Sequence, residues 1–431
     1  MTYYKCEGTY MDNNSYRPRI IDSAVEQYLR AFGAVCIEGP KWCGKTWTAQ
    51  KHSQSAFLAG DPAGDFQNRQ LAQIDPSLVL QGKKPRLIDE WQEVPSLWDA
   101  VRFAVDQSTT KGQFILTGSA TPVHKGIMHT GTGRIARLRM MPMSLFESGD
   151  SSGEVSLKDL CAGNLENTKT SEVSLQSLAS FILRGGWPGS LGLPTEDAVK
   201  IPAQYLDNVV TDDVAKVDDK ARDEAKLRLL LRSLARNEST TAARARLKSD
   251  MQGVEQSTID EDTIAGYLNI FERLFIIENQ KPFATAIRSS LRIKQAEKRH
   301  FVDPSFAASL LGITNEDRLI GDLRTFGFLF EALCERDLRI YAQSFGANLL
   351  HYQDYGNDEI DAVVELANGS WSAFEIKLGA TQIDKASAKL LSLNQKFERP
   401  ATNLCVICGL SNAAYRRPDG VCVVPITALK P

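Results

Sequence analysis

Gly39-Pro40-Lys41-Trp42-Cys43-Gly44-Lys45-Thr46 satisfies GxxxxGK[ST] at every fixed position. In such a loop the glycines let backbone N–H groups turn inward around phosphates. The run before it, Ala34-Val35-Cys36-Ile37-Glu38, reads as a buried strand, and a helical pattern follows. The start of that helix adds a positive dipole end. Lys45 is expected to reach the β- and γ-phosphates of a nucleoside triphosphate such as ATP, and the Thr46 hydroxyl to bind magnesium. Trp42 is expected to alter the outer surface of the loop rather than its chemistry.

Downstream, Leu87-Ile88-Asp89-Glu90 is an apolar strand ending in two carboxylates. Beside a phosphate loop, Asp89 is expected to hold Mg2+, directly or through water. Glu90 is expected to orient and deprotonate the attacking water. Without that loop the same residues would be an ordinary strand end capped by acids. A third strand, Gln113-Phe114-Ile115-Leu116-Thr117, runs into Gly118-Ser119. In the additional-strand class of P-loop ATPases, a strand between the phosphate-loop strand and the acid-bearing strand ends in a polar sensor. Thr117 or Ser119 is placed for that role, although Thr-Gly-Ser is also common turn chemistry. Arg134, in Gly131-Thr132-Gly133-Arg134, is the candidate arginine finger toward a neighbouring subunit; the alternative is a solvated basic edge.

Working outward, 431 residues exceed one ordinary core. Four regions emerge: an α/β region at 17–150, a helical lid or linker at 151–215, a winged-helix-like module at 216–315 and an α/β domain at 316–431. Residues 150–174, rich in Ser, Gly, Glu and Lys, read as a loop or small insertion. The net charge of −3 gives no global argument for nucleic acid, so contact with DNA would need local basic patches. No apolar run approaches the ~18–20 residues that span a bilayer, and the polar N-terminus lacks a signal-peptide stretch, which points to a cytoplasmic protein with no membrane role. Cys405 and Cys408 form a CxxC with no second ligand pair nearby, and read as part of a buried strand.

In the middle region, Leu227 to Ala235 is an apolar-periodic helix. Another begins at Thr258, spaced from Glu261 as a capping box. Phe275-Ile276-Ile277-Glu278 and His300-Phe301-Val302-Asp303 read as hairpin partners around the basic stretch 288–294. This is winged-helix order, and such modules often bind duplex DNA. The acidic start of the second helix argues equally for protein–protein packing. Arg184, before Gly185-Gly186-Trp187-Pro188, is a weaker candidate for a second sensor.

Near the C-terminus, Glu331 lies on an amphipathic helix, followed by Glu359-Ile360-Asp361 and Phe374-Glu375-Ile376-Lys377 on a hairpin. This is the layout of PD-(D/E)xK nucleases. Asp361 and Glu375 would hold one or two magnesium ions at a scissile phosphate, and Lys377 would orient a water and stabilise charge. A two-residue Asn368-Gly369 turn would set Asp361 opposite Ile376, so convergence on Glu375 requires a bulge or an odd-length loop.

Taken in order, these pieces resemble prokaryotic AAA+ ATPases of the archaeal-ATPase type that carry the domain of unknown function 4143 at the C-terminus. Further matching pieces are Pro18-Arg19-Ile20-Ile21-Asp22, Trp91-Gln92 with Pro95, Met141-Pro142-Met143-Ser144-Leu145-Phe146-Glu147 and Gly185-Gly186-Trp187-Pro188. The resemblance implies an α/β chain: an AAA+ P-loop parallel sheet, a helical and winged-helix middle, and a restriction-endonuclease-like C-terminal domain. Assembly into a homo-oligomer through the AAA+ core goes with it. Two function classes remain: an ATP-driven, DNA-acting enzyme whose C-terminal domain cuts, or a regulatory or scaffold ATPase whose nuclease-like fold only binds.

Overall fold

Alternation along the central strands sets the first layer. Val35 and Ile37 enter one apolar core with Leu87 and Ile115, while Ala34 and Cys36 enter another with Ile88 and Leu116. Strands buried on both faces in this way belong to a parallel sheet covered by helices. The structure, a computed structural model, describes residues 16–120, 127–217, 222–252, 259–286, 289, 292, 295–354, 356 and 358–431. Its contacts divide the chain into two units.

The first unit runs to Met141 and includes Arg273–Phe275. Its strands are β1 (Ala34–Glu38), β2 (Ser55–Leu58), β3 (Arg86–Asp89), β4 (Phe114–Gly118) and β5 (Ile135–Arg139). They lie in the order β2-β3-β4-β1-β5, all parallel. Strand β4 therefore sits between the phosphate-loop strand and the acid-bearing strand, the insertion expected from sequence. Helix Ser96–Asp106 buries Leu97, Trp98, Val101 and Val105 on one face. Each such side chain contributes roughly 1.5–3 kcal/mol of burial.

The second unit comprises Pro142–Glu272 and Ile276–Pro431. The segments expected as lid, winged-helix-like module and C-terminal domain fall within it almost entirely. The remaining strands are β6 (Val155–Ser156), β7 (Thr168–Lys169), β8 (Lys281–Pro282), β9 (Asn348–Gln353), β10 (Glu359–Glu365), β11 (Trp371–Lys377), β12 (Asn403–Cys408), β13 (Ala413–Arg416), β14 (Cys422–Pro425) and β15 (Leu429–Lys430). Eight form one sheet in the order β7-β13-β14-β12-β11-β10-β9-β8, and β15 pairs with β6. The stretch 150–174 is thus more than a loop: it lends β7 to the large sheet and β6 to the C-terminal strand. The Cys405 and Cys408 strand is β12, buried along its whole length.

Helices Glu224–Arg236, Arg244–Gln252 and Glu261–Arg273 precede antiparallel bridges Ile277↔Phe301 and Gln280↔Lys298. Thr258 and most of 288–294 lie outside the described residues. The amphipathic helix, expected over Phe326 to Leu338, runs over Leu323–Ser344 and buries Glu335, Arg336, Asp337 and Arg339 as well as its apolar face. Those charges are paired. Arg336 donates to Asp303 and Asp337, each at 2.8 Å. Asp303 also accepts from Gly186 N, and Asp337 from Leu145 N, each at 2.9 Å. The Ser-Leu-Phe-Glu piece therefore docks on this helix at Asp337, and the Gly-Gly-Trp-Pro piece docks through Asp303. Arg184 is bound to Asp150 at 2.7 Å. Among the described residues no helix is long and apolar enough to cross a membrane.

Candidate functional site

The phosphate loop leaves β1 at Gly39, where close approach excludes a side chain: a Cβ would lie 2.1 Å from Met140 O. Pro40 and Lys41 lead to Trp42, which is left-handed at φ 64° and 67% exposed. Cys43 is buried, and Gly44, at φ 103°, starts helix Lys45–Lys51. Lys45 is buried, and its Nζ lies across the loop on Pro40 O at 2.7 Å. Arg19, from the Pro-Arg-Ile-Ile-Asp piece, braces the loop from below, donating to Cys43 O at 2.6 Å and Met141 O at 2.9 Å.

Three elements meet at one oxygen. Asp89 Oδ1, at the end of β3, accepts from Thr46 Oγ1 at 2.9 Å and from Thr117 Oγ1 at 2.5 Å. Thr117 Oγ1 also accepts from Glu90 N at 3.0 Å. These hard oxygen donors suit magnesium, which takes one or two carboxylates with hydroxyls, water and phosphate oxygens. Burial pushes the Asp89 carboxyl up and the Glu90 charge adds to this, while the Thr117 and Thr46 hydroxyls and Lys45 pull it down. Glu90 is left-handed at φ 52°. Its Oε2 accepts from Ser119 Oγ at 2.9 Å and from Gln92 Nε2. Gln92 sat within a quoted motif but carried no role in the sequence reading; nothing there signals that its amide turns back onto Glu90.

Arg134 lies just before β5, whose Ile135 pairs with Ala34 at the start of β1. It is therefore at the sheet edge opposite the phosphate loop, roughly 13 Å of strand rise away. Its side chain is half exposed and donates to Asp106 at 2.7 Å. It cannot serve its own chain's loop; only a role toward another subunit, or the surface reading, is compatible with this position.

In the second unit the hairpin register differs from a two-residue turn. Glu365 pairs with Trp371 and Ala362 with Phe374, so the loop has an odd number of residues, 367–369. Gly369 takes φ 81°, the left-handed position that closes such a loop. The register, continued by one step, sets Asp361 opposite Glu375 rather than Ile376. Lys377 Nζ lies 2.9 Å from Asp361 Oδ2 and 2.9 Å from Glu375 Oε2. Ile376 N donates to Asp361 Oδ2 at 2.7 Å, and Lys389 Nζ to Glu375 Oε1 at 2.8 Å. Glu375 Oε2 is buried and faces the Lys377 ammonium.

Burial opposes ionisation of Asp361, yet Lys377, Lys298 and Lys389 hold its carboxyl down at about 2. Glu375 is raised by burial and by Asp361. Glu331 is paired with Lys298 at 2.6 Å, and burial with the Asp361 charge raises it to about 7. Among the described residues no three His, Cys, Asp or Glu side chains form a metal-binding group. Two adjoining buried carboxylates that share one partly exposed lysine still fit a magnesium ion completed by water and a phosphodiester. Lys298 and Lys389 escaped sequence reasoning because each arrives from an element outside the hairpin.

Residues 31–148 match the AAA domain family, 175–317 a domain of unknown function, DUF8612, and 326–429 the domain of unknown function DUF4143. Uncharacterized proteins of Mycobacterium tuberculosis and Mycobacterium bovis are each 24% identical over 353 residues, covering 80% of this chain and 70% of theirs. The Walker-type ATPase PABY2304 of Pyrococcus abyssi aligns at a TM-score of 0.43 and 14% identity, over 69% of this chain and 97% of that one. Drosophila ORC bound to DNA aligns at 0.18 and 13%, over 68% and 84%. Likeness this slight bears on no functional point.

Proposed function

Because this chain is an AAA-type ATPase with a DUF4143 domain at its C-terminus, we propose that its first unit binds ATP with magnesium and hydrolyses it at the Asp89 cluster. The observation that carries this is the meeting of Thr46, Thr117 and Asp89 at one carboxylate oxygen. Backbone N–H groups of Trp42, Cys43 and Gly44 cradle the phosphates, and Lys45 turns from Pro40 O to the β- and γ-oxygens. Thr46 and Asp89 hold Mg2+, which supplies charge neutralisation when bound. Glu90 takes the proton of the attacking water, held in place by Ser119 and Gln92. Thr117 fixes Asp89 and the Glu90 backbone together. Phosphate release from ATP that vanishes in Lys45→Ala tests this reading; release at the native rate in that variant would refute it.

The shared Lys377 contact favours a second activity, magnesium-dependent cleavage of nucleic acid, DNA in the first instance, by Asp361, Glu375 and Lys377. The carboxylates hold the ion, and Lys377 moves to the water and the developing charge. Glu375→Ala is expected to abolish metal-dependent cleavage and leave ATP turnover near its original rate. Cleavage that survives in Glu375→Ala removes the site from that role.

A further inference from the structure

Lys298 is 2% exposed, and its ammonium donates to Glu331 Oε1 at 2.6 Å. Its backbone is pinned: Lys298 and Gln280 exchange both N–H···O bonds at 2.9 Å. Gln280 is fully buried and donates its side-chain amide to Leu350 O at 2.8 Å and Asp361 O at 3.3 Å. Those carbonyls flank the shift of register between β9 and β10 at Ile360 and Val363. An irregular strand thus exposes backbone acceptors that Gln280 satisfies, and this fixes Lys298 beside the acidic strand.

Resting on the nuclease reading of this domain, we propose that the buried ammonium of Lys298 takes the place of a second divalent cation. The site then seats one ion, between Asp361 and Glu375, and Glu331 stays out of coordination. Three lysines, Lys298, Lys377 and Lys389, already balance Glu331, Asp361 and Glu375. A first ion takes Glu375 Oε2 by displacing Lys377, whose side chain is 26% exposed and can turn to water. A second would have to expel Lys298, whose ammonium is walled from solvent and would be left buried and unpaired.

The test is manganese titration of the full chain without nucleotide, with bound Mn2+ counted by electron paramagnetic resonance. The native protein is expected to bind one ion that Glu375→Gln removes. Lys298→Met is expected to bind one more than the native protein, because Glu331 is released. Glu331→Gln, which still accepts from Lys298 and preserves packing, is expected to keep the native count. Two Glu375-dependent ions in the native protein, an unchanged count in folded Lys298→Met, or loss of the ion in Glu331→Gln would each overturn the role given to Lys298 while the metal reading stands. No Glu375-dependent ion at all would overturn the metal reading itself, and this proposal with it.

Discussion

Thr117→Val removes one hydroxyl and little else. Thr117 is fully buried, and its Oγ1 both donates to Asp89 at 2.5 Å and accepts from Glu90 N at 3.0 Å. Valine fills the same volume, so no cavity forms, but the Glu90 N–H is orphaned. An unsatisfied buried donor costs about 1–3 kcal/mol, and the lost bond to a charged acceptor is of similar size. If two-thirds of the lower figure to most of the upper one is felt where Asp89 and Glu90 act, kcat/KM falls about 3- to 100-fold, at 1.36 kcal/mol per decade. The Thr117 hydroxyl also helps to lower the Asp89 carboxyl against its burial. Its removal raises that carboxyl further, so the acid limb of the pH–rate profile moves to higher pH. Phosphate release measured from pH 5.5 to 8.5 reads both effects, and Thr117→Ser is expected to restore them. A folded Thr117→Val protein with the native rate and native acid limb would show that the hydroxyl is not part of the machinery.

Two other outcomes follow from the geometry. If Arg134 serves a neighbouring subunit, specific ATPase activity rises with protein concentration, and Arg134→Ala lowers it by roughly 10³-fold or more; unchanged activity leaves only its surface pairing with Asp106. His351 is buried, its Nε2 donates to Ala296 O at 3.1 Å, and burial together with the Lys298 charge lowers its pKa to about 4. The unfolded chain then binds a proton on this imidazole that the folded chain does not, so His351 costs stability as pH falls from about 6.5 toward 4. At pH 5 that penalty is about 2 kcal/mol. Urea unfolding at pH 7 and pH 5 is expected to show His351→Gln losing about 2 kcal/mol less than the native chain; equal losses contradict it.

The ATPase sheet was legible because its signals are local. Strand β1, the glycine loop and the acid-bearing strand each lie within a few consecutive residues, and their order in the sheet follows from the family topology. The hairpin register was not legible. Asn368-Gly369 reads as a two-residue turn, but the sheet uses a three-residue loop with Gly369 left-handed, and one residue of slip exchanges Ile376 for Glu375 opposite Asp361. Lys298, Lys389 and Gln280 were invisible for another reason: their roles depend on partners 33, 14 and 81 residues away. The helix carrying Glu331 reads as amphipathic, but its spacing does not show that its charged residues are buried. Asp303 pairs with Arg336 and Leu145 N with Asp337, and sequence spacing cannot reveal either partner.

Retention of ATP by Glu90→Gln tests the central claim most directly. Asp89, Thr46 and Lys45 keep their ligand roles in that variant, so it is expected to bind Mg-ATP as tightly as the native chain, measured by calorimetry. Turnover is expected to fall by about 10²- to 10⁴-fold, the worth of a positioned general base. Native turnover in Glu90→Gln, or loss of ATP binding with the fold intact, would contradict the assignment of Glu90 to the water and Asp89 to the metal.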